Sequence, residues 1–291
     1  MGTLYVVGTP IGNLADMTPR AVDVLGRVTL IAAEDTRHTL GLLRHFGIET
    51  PLLSYHAHNE RSRRERLLGA LADGDVALVS DAGTPAISDP GNDLVAVALA
   101  AGFSVSPIPG ASSLVAAVSA SGLVPGPFVV VGFLERRGRD RAVELGRAAA
   151  AGMPLVLFEA PNRLVETLDF LHTSLGDRPV TVARELTKVH EEVRHGIISV
   201  VADHYRQRPP RGEIVIVVGG AAATDSSADA DDDDTVIRSL LGTGLSISQA
   251  AREAASLTGR PRSELYDLAR RLRAADEPAG ASAPDRSDER G

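Results

Sequence analysis

The sequence predicts an α/β protein of two lobes with a small all-helical module at its C-terminal end. Over residues 1–220, short apolar runs alternate with amphipathic stretches, which is typical of strands alternating with helices. A Pro/Gly-rich break, LVPGP at 123–127, divides this region. Two further amphipathic stretches follow a segment rich in Asp, Ser and Ala. Runs of Val, Leu and Ile favour mostly parallel sheets covered by helices on both faces.

The lobes are expected to span 1–112 and 113–220. Strands are expected at 4–8, 30–33, 51–55, 76–80 and 105–108 in the first lobe, and at 128–133, 155–158, 180–184 and 213–218 in the second. Helices are expected at 18–25, 37–45, 60–72, 93–101, 111–121, 139–151, 162–175 and 199–205. This order of elements predicts that many strands end in turns at one edge of each sheet.

The C-terminal part is divided by its charge. Residues 221–235 hold six Asp and no basic residue, so we interpret them as an acidic flexible linker, and 274–291 as a disordered tail. Between them, 236–273 hold seven Arg against three acidic residues and predict two helices, capped by Ser246 or Ser248 and by Ser263. This basic module resembles a helix-turn-helix and is expected to bind nucleic acid, with a plain helical hairpin as the alternative. The net charge of −8 does not exclude RNA.

The composition excludes several classes of protein. There is no Cys, so the chain has no disulfide, thiolate metal site or cysteine nucleophile. There is no Trp and aromatic residues make up 3%, which disfavours an aromatic platform for stacking bases. Neither a basic leader nor an apolar run of membrane-spanning length is found, so we expect a cytoplasmic protein with no membrane partner.

Three glycine-containing turns follow expected strands. They read GTPIGNL at 8–14, SDAGTPAISDPG at 80–91 and PIPGASS at 107–113. A nucleotide-like ligand can approach such turns at the carboxyl ends of strands. Asp81 could accept hydrogen bonds from hydroxyl or ammonium groups, and Ser112 and Ser113 could donate them. A tight turn, or a helix cap by Asp81 or Asp89, is the alternative interpretation of each turn.

Taken together, the turns resemble those of one known family. GTPIGNL, AAEDTRHT, SYHAHNE, SDAGTPAISDPG, PIPGASS, FEAPNRLVETL, ARELTKVHEEVRHG and GEIVIVV occur in that order. The chain is similar over 3–220 to the RsmI family, the bacterial 16S rRNA cytidine ribose 2′-O-methyltransferases of the tetrapyrrole (class III) methylase superfamily. Its basic module resembles the helix-turn-helix-like extension of that family.

The resemblance implies a tetrapyrrole-methylase-like fold, usually homodimeric, that binds S-adenosylmethionine in a cleft between two lobes and acts on 16S rRNA of the small ribosomal subunit. The family motifs place cofactor contacts at Pro10, Asp81, Gly83, Thr84, Ser112 and Ser113, and more weakly at Ala160 and Gly212. The first turn lacks the aspartate of the GxGxGD-like turn common in the superfamily. This difference favours the RNA-modifying branch and leaves the role of Asn13 open.

A ribose hydroxyl is a very weak acid, so a positioned group that takes up its proton would help methyl transfer. Of 30 basic residues, only Lys188 is a lysine, and a lysine can lose its proton when it is buried. We therefore consider Lys188, beside Arg184, as the base; an ion pair with Glu185 or Glu191 is the alternative. The other candidates near strand ends are Glu34, Glu185, Asp35, His56 and Glu159.

Two arginine groups could bind RNA phosphates, with solvated helix faces as the alternative. They are Arg61, Arg63, Arg64 and Arg66, and Arg136, Arg137, Arg139 and Arg141. His56 and His58 do not complete a metal site by spacing, so no metal is expected. Two other functions stay open at this point: a precorrin or diphthamide-pathway methylase, and a non-catalytic RNA-binding factor for ribosome assembly.

Overall fold

A computed structural model describes residues 2–136, 138–221, 229–242 and 244–276 of the chain. The chain forms two compact units, Met1–Ala221 and Ala222–Gly291. Among the described residues, none of the helices combines the length and the apolar character that crossing a membrane requires.

The first sheet of the larger unit consists of five parallel strands in the order β3-β2-β4-β1-β5. The strands are β1 (Thr3–Val7), β2 (Leu30–Ala33), β3 (Leu52–Ser54), β4 (Val76–Val79) and β5 (Ser104–Ile108). The helices that connect them are α1 (Pro19–Arg27), α2 (Thr36–His45), α3 (Glu60–Asp73) and α4 (Asn92–Ala100). All nine elements overlap the predicted ones.

Alternation along the strands gives this sheet a core on each face. In β4, Ala77 and Val79 pack into a core with residues of α1 and α2. Val76 and Leu78 pack on the opposite face with residues of α3 and α4. Because successive side chains of a strand point to opposite faces, an apolar residue at every position is what a sheet between two helix layers requires.

The strand order reverses at β1 and β4, which are parallel neighbours in this sheet. The connection after β1 leads to β2 on one side, whereas the connection after β4 leads to β5 on the other. A crevice therefore opens at the carboxyl ends of these two strands. The turns after them are joined there, since the Thr9 N–H donates to the Gly83 carbonyl (2.9 Å) and the Gly83 N–H to the Thr9 carbonyl (3.1 Å).

The second sheet has the order β6-β7-β10-β8-β9. Its strands are β6 (Val129–Phe133), β7 (Leu155–Glu159), β8 (Pro179–Arg184), β9 (Glu192–Ile197) and β10 (Ile214–Val218). Its helices are α5 (Ser113–Ser121), α6 (Arg139–Ala149), α7 (Leu164–Leu175) and α8 (Ile198–Gln207). Residues of α6, α7 and α8 pack on one face, and residues of α5 on the other.

The expectation of mostly parallel strands is wrong for this second sheet. Only β6 and β7 pair in parallel, whereas β10 is antiparallel to β7 and β8, and β9 is antiparallel to β8. The loop 185–191 between β8 and β9 is too short for a parallel crossover. Strand β9 was not predicted, because it is a half-exposed edge strand with few apolar residues.

The smaller unit has three helices among its described residues: α9 (Asp229–Gly242), α10 (Ile247–Thr258) and α11 (Arg262–Asp276). Only the last two were predicted, and α9 begins inside the expected linker. Its acidic sequence is helical here because Ile237 is buried against α10 and α11, and buried Asp233 pairs with Arg260 (2.7 Å). Residues 222–228 of the expected linker and 277–291 of the expected tail lie outside the described residues.

The turn between α10 and α11 has the predicted position. Ser246 caps α10 in a reciprocal capping box with Gln249, as one of the two expected caps. Gly259 ends α10 in the left-handed conformation, at a φ of 71°. Ser263 is not the cap of α11, which already begins at Arg262, because Pro261 is a favourable residue immediately before or at a helix start.

A close approach of the turns after β1 and β5 gives a test of this fold. A Cβ atom added to Gly110 would lie 2.5 Å from the Gly8 carbonyl oxygen. We expect Gly110→Ala to lower the free energy of unfolding by about 1–3 kcal/mol, because the backbone must move apart. The control is Gly69→Ala, at an exposed position of α3 where an added Cβ would meet no other atom. This change should raise the free energy of unfolding by about 0.5–1 kcal/mol. Urea unfolding followed by circular dichroism measures both, and equal midpoints for the two variants would contradict the constraint.

Candidate functional site

A cleft of about 280 Å³ opens between the turns of the first sheet and the strand ends of the second, within the larger unit. Its wall is formed by residues from both sheets and from the start of α5: Ile11, Glu34, Asp81, Ala82, Gly83, Thr84, Ile87, Ser88, Asp89, Ser112, Ser113, Leu114, Phe133, Phe158, Ala183, Leu186, Glu213, Ile214 and Val215. This is close to the smallest volume usual for small-molecule sites, about 300 Å³.

Six of the eleven residues predicted for the site lie on this wall. They are Glu34, Asp81, Gly83, Thr84, Ser112 and Ser113. The other five, which lie outside it, are Pro10, Ala160, Gly212, Lys188 and Glu185. The structure therefore brings together the long loop after β4, the turn after β5 and the end of β2, as the sequence predicted.

The position of Asp81 is fixed by the loop that follows β2. Its Oδ1 accepts a hydrogen bond from the Asp35 N–H (2.9 Å), and its own N–H donates to Glu34 Oε2 (3.4 Å). The two loops thus hold each other through reciprocal contacts. The expected alternative role of Asp81 as a helix cap does not apply, because α4 begins after Gly91.

The long loop after β4 has an unusual backbone. Gly83 has a φ of 80°, and the non-glycine residues Ala86 and Ser88 have φ values of 66° and 63°. Such conformations cost free energy for non-glycine residues and occur often at functional sites, where the surrounding structure enforces them. Gly83 and Ser88 line the cleft. The loop is therefore shaped for the cleft rather than for a simple reversal of the chain.

Ser112 both caps a helix and lines the cleft. Its Oγ accepts a hydrogen bond from the Val115 N–H (3.4 Å) and so caps α5. The same side chain lines the cleft together with Ser113. Because a hydroxyl that accepts one bond can still donate its own proton, capping leaves Ser112 able to donate to a ligand.

The charge of the cleft is negative. Four wall residues are acidic, namely Glu34, Asp81, Asp89 and Glu213, and no described Lys, Arg or His lies on the wall. Burial, followed by the charge of Glu34, raises the pKa of Asp89 to about 6. Burial also raises the pKa of Glu34. Both shifts reflect carboxylates close together in a poorly solvated place, an arrangement that a bound cation would stabilise.

Asp89 and Glu213 were not predicted as site residues. Asp89 belongs to the same twelve-residue motif as Asp81, so the motif was recognised and its second acid was not assigned a role. Glu213, which lies at the mouth of the cleft with 70% of its side chain exposed, is adjacent to the predicted Gly212. The wall also has an apolar part, where the rings of Phe133 and Phe158 lie 5.5 Å apart. Phe158 is the first residue of the FEAPNRLVETL motif, but neither ring was assigned a role from the sequence.

Lys188 lies beside the cleft and is ion-paired. Its Nζ is 2.8 Å from Glu185 Oε1 and 3.2 Å from Glu213 Oε2. Partial burial opposes the charge, but these two carboxylates together raise the pKa of Lys188 above its ordinary value. Burial alone lowers the pKa of Lys188, but the net shift runs opposite to the one expected for a lysine that acts as the base. The alternative, an ion pair with Glu185, is what the structure contains.

The remaining predicted residues lie outside the cleft for local reasons. Pro10 faces a neighbouring groove on the other side of Asp81. Gly212, with a φ of 84°, leaves room for Glu185, whose Oε1 would lie 2.0 Å from an added Cβ. The Ala160 N–H donates to Glu159 Oε1 (2.8 Å), and Ala160 is not among the wall residues although Phe158 of the same strand is.

The other candidates for the base make contacts elsewhere. Asp35 caps α2 and binds Arg37, which lowers the pKa of Asp35 to about 2. Glu159 is buried and accepts a hydrogen bond from the Thr167 hydroxyl (2.6 Å). His56 is hydrogen-bonded to Asn59. Within the described part of the chain, no three or more His, Asp or Glu side chains are grouped so as to hold a metal ion.

The two predicted arginine groups are only partly available to RNA. Arg64 pairs with Asp93 (2.8 Å), and Arg141 is buried, where it bonds to Thr167 and stacks on the ring of Phe170. Arg141 is therefore a structural residue, and its assignment to a phosphate contact is wrong. Exposed members of the two groups are Arg61, Arg66, Arg136 and Arg139, and Arg137 lies outside the described residues.

Comparison with protein families identifies relatives of both parts of the chain. The model of the tetrapyrrole (corrin/porphyrin) methylases matches residues 3–202, and that of the RsmI C-terminal HTH domain matches 227–273. Similar relatives are the ribosomal RNA small subunit methyltransferase I of Synechocystis sp. (49% identity, over 94% of this chain and 99% of the relative) and that of Bacillus subtilis (42%, over 92% and 94%).

Solved structures share the fold of the larger unit at low sequence identity. Diphthine synthase has a TM-score of 0.59 with 14% identity, over 75% of this chain and 90% of its own. Uroporphyrin-III C-methyltransferase from Thermus thermophilus, complexed with S-adenosylhomocysteine, has a TM-score of 0.53 with 20% identity, over 75% and 97%. The family matches confirm the resemblance found in the eight motifs. The chain belongs to the tetrapyrrole methylase family, in the branch formed by the ribosomal RNA small subunit methyltransferase I proteins.

Proposed function

We propose that this protein transfers a methyl group from S-adenosylmethionine to the ribose 2′-hydroxyl of a cytidine in 16S rRNA of the small ribosomal subunit. The observation that carries the proposal is the acidic cleft at the point where the strand order of the first sheet reverses. Its wall holds four carboxylates and the hydroxyls of Ser112 and Ser113. The loop after β4, which forms part of this wall, has two non-glycine residues, Ala86 and Ser88, in the left-handed conformation. The names of the relatives support RNA of the small subunit as the substrate.

The residues of the cleft fit S-adenosylmethionine. When bound, this cofactor supplies a methyl group on a positively charged sulfur. Asp81 and Asp89 would stabilise its positive charges, because carboxylates in a poorly solvated place favour a nearby cation. Ser112 and Ser113 would donate hydrogen bonds to it. Gly83 and Thr84, in the loop after β4, would contact the bound cofactor from that side of the cleft. A flat aromatic group would pack beside Phe158 on the apolar part of the wall.

The chain's own part in the reaction is alignment and proton uptake. Because the donor would supply its methyl group from a sulfonium, the chain would not have to provide an acid for the departing group. The cleft must instead hold the ribose oxygen in line with the methyl group and exclude water. We assign the proton to Glu34, because its carboxylate lies on the wall and its raised pKa makes it a stronger base than an ordinary glutamate.

Lys188 and Glu185 act as positioning residues in this proposal. The Lys188 ammonium holds Glu185 and Glu213 together at the mouth of the cleft. Glu185 in turn accepts a hydrogen bond from the Glu213 N–H (3.2 Å), so the strand end that carries Glu213 is fixed from two sides. A charged lysine cannot accept a proton, but it can keep this edge of the wall in place.

The remaining parts of the proposal concern partners and place of action. The part of the helical module over 236–273, which holds seven Arg against three acidic residues, would bind the rRNA. As in the resembling family, the protein would act as a homodimer. Acting on small ribosomal subunits, it would work in the cytoplasm.

A methyl-transfer assay tests the function. The protein is incubated with methyl-labelled S-adenosylmethionine and small ribosomal subunits from a strain that lacks its gene. We expect the label to be recovered from 16S rRNA as 2′-O-methylcytidine after digestion to nucleosides. Subunits from the parent strain, which are already modified, should accept little label. RNA binding without transfer would contradict the proposal and favour a non-catalytic assembly factor.

The pH dependence of cofactor binding tests the acidic cleft. Asp89 loses its proton as the pH rises through about 6, so more negative charge faces the ligand above that pH. We expect the affinity for S-adenosylmethionine, measured by calorimetry, to increase from pH 5 to pH 7.5. Asp89→Asn should flatten this increase and weaken binding at pH 7.5 by roughly tenfold, or about 1.4 kcal/mol.

S-adenosylhomocysteine serves as the control ligand in the same titration, because its sulfur is uncharged. Its affinity should change less with pH in this range than that of S-adenosylmethionine. Glu34, Asp81 and Glu213 also face the cleft, so a residual slope is expected in Asp89→Asn. The same pH dependence for both ligands would contradict an electrostatic role of the carboxylates.

Turnover of two variants tests the assignment of the base. With saturating cofactor and RNA, we expect Glu34→Gln to lower kcat about 100-fold or more, because the proton acceptor is lost. Lys188→Met should lower kcat less than tenfold, since an ion-paired ammonium does not take up the proton. Cofactor affinity of each variant is measured separately. A larger loss of kcat in Lys188→Met than in Glu34→Gln would reassign the base to Lys188.

A further inference from the structure

We propose that a groove beside the cleft binds phosphodiester groups of the RNA strand that carries the target ribose. This arginine groove is lined by Arg184, Arg194, Arg208 and Arg211, together with His190 and His204. Neither predicted arginine group included these residues. The proposal rests on the proposed function and adds to it where the substrate strand lies.

The groove has an excess of fixed positive charge. Its four arginines face only two carboxylates, Glu185 and Glu192. Glu192 holds two of the guanidinium groups, since its Oε2 is 2.7 Å from Arg184 Nε and its Oε1 is 3.0 Å from an Arg194 terminal nitrogen. Two guanidinium groups that are held in place by one carboxylate lose less conformational freedom when a phosphate binds.

The other two arginines of the groove are available to bind an anion. Arg208 and Arg211 are exposed, and neither forms an ion pair with a described residue. Pro209 and Pro210 lie between them and restrict the backbone, so the spacing of the two arginines is largely fixed. The Arg211 carbonyl also accepts a hydrogen bond from Arg184 (3.5 Å), which ties this segment to β8.

A buried hydroxyl in the floor of the groove gives a second, independent observation. Tyr205 lines the groove and is 1% exposed. Its hydroxyl lies near the Arg194 guanidinium but makes no well-formed hydrogen bond with any described residue. A buried polar group without a partner is costly, and a phosphate oxygen at the floor of the groove would satisfy it.

The position of the groove identifies its ligand as RNA. Arg211 lines the groove and Glu213, two residues later, lines the mouth of the cleft. Every ribose within an RNA chain carries a phosphate on both sides, so a ribose in the cleft brings phosphates to its mouth. The four carboxylates of the cleft repel those phosphates and the arginine groove attracts them. The two charges together orient the strand with its ribose inward and its backbone at the rim.

Salt-dependent RNA binding by matched variants tests the proposal. The double variant Arg208→Gln with Arg211→Gln is compared with the control Arg20→Gln with Arg44→Gln, which removes two exposed arginines of α1 and α2 that form no ion pair with described residues. The probe is unmodified 16S rRNA transcript over a series of salt concentrations. We expect the groove variant to bind at least tenfold more weakly, and the slope of log K against log salt to fall by about 1.4, as for two lost phosphate contacts.

Two further variants and readouts separate the outcomes. Arg208→Lys with Arg211→Lys, which keeps both charges, should restore most of the slope, and all variants should bind S-adenosylmethionine like the wild type. An unchanged affinity and slope in the groove variant would overturn the proposal. Weakened binding to whole subunits but not to transcript would also overturn it, in favour of an acidic protein surface. Failure of the wild type to methylate any RNA would instead count against the proposed function itself.

Discussion

The close packing of carboxylates in the cleft is the constraint on which the rest of this site depends. Glu34, Asp81 and Asp89 come from two neighbouring loops and line the same cleft. Burial is the main cause of the raised pKa of both Glu34 and Asp89. Repulsion among them would open the loops if the backbone did not oppose it. The bridge between Thr9 and Gly83 and the hydrogen bond from the Asp35 N–H to Asp81 provide that opposition. The cleft therefore keeps its negative charge ready for a cationic ligand, and part of the binding free energy comes from relieving the repulsion.

The distribution of charge also separates the two ligands that the proposed reaction requires. A methyl donor with a positively charged sulfur and an RNA strand with negative phosphates must meet within a few ångströms. In this protein the carboxylates lie inside the cleft, whereas Arg208 and Arg211 lie in the groove at its rim. Lys188, Glu185 and Glu213 form the boundary between the two regions. A phosphate that entered the cleft would meet like charge, so the sugar is the part of the strand that can approach the donor.

The sequence was sufficient for the first sheet and for the turns that follow its strands, because apolar runs and glycine turns are local signals. It was insufficient wherever the answer depended on residues distant in the chain. The insertion of β10 between β7 and β8 depends on pairing across at least 30 residues, so its antiparallel direction had no local signature. Gly212 was chosen over Glu213 because the motif marks the turn, whereas the wall is formed by the next side chain. The ion pairs of Lys188 could not be chosen among several nearby glutamates without coordinates.

The retention of one lysine in a chain rich in arginine has a geometric explanation. The Lys188 stem passes over Gly12 in the turn after β1, where an added Cβ would lie 2.4 Å from Lys188 Cγ. Its ammonium reaches Glu185 and Glu213 of the second sheet, so one side chain connects the first turn to the opposite wall of the cleft. A planar guanidinium is wider than an ammonium and prefers two oxygens of one carboxylate, whereas a compact ammonium can sit between two separate carboxylates. Lys188 is thus explained by the shape of the contact and by its charge, without any need for the lysine to lose its proton.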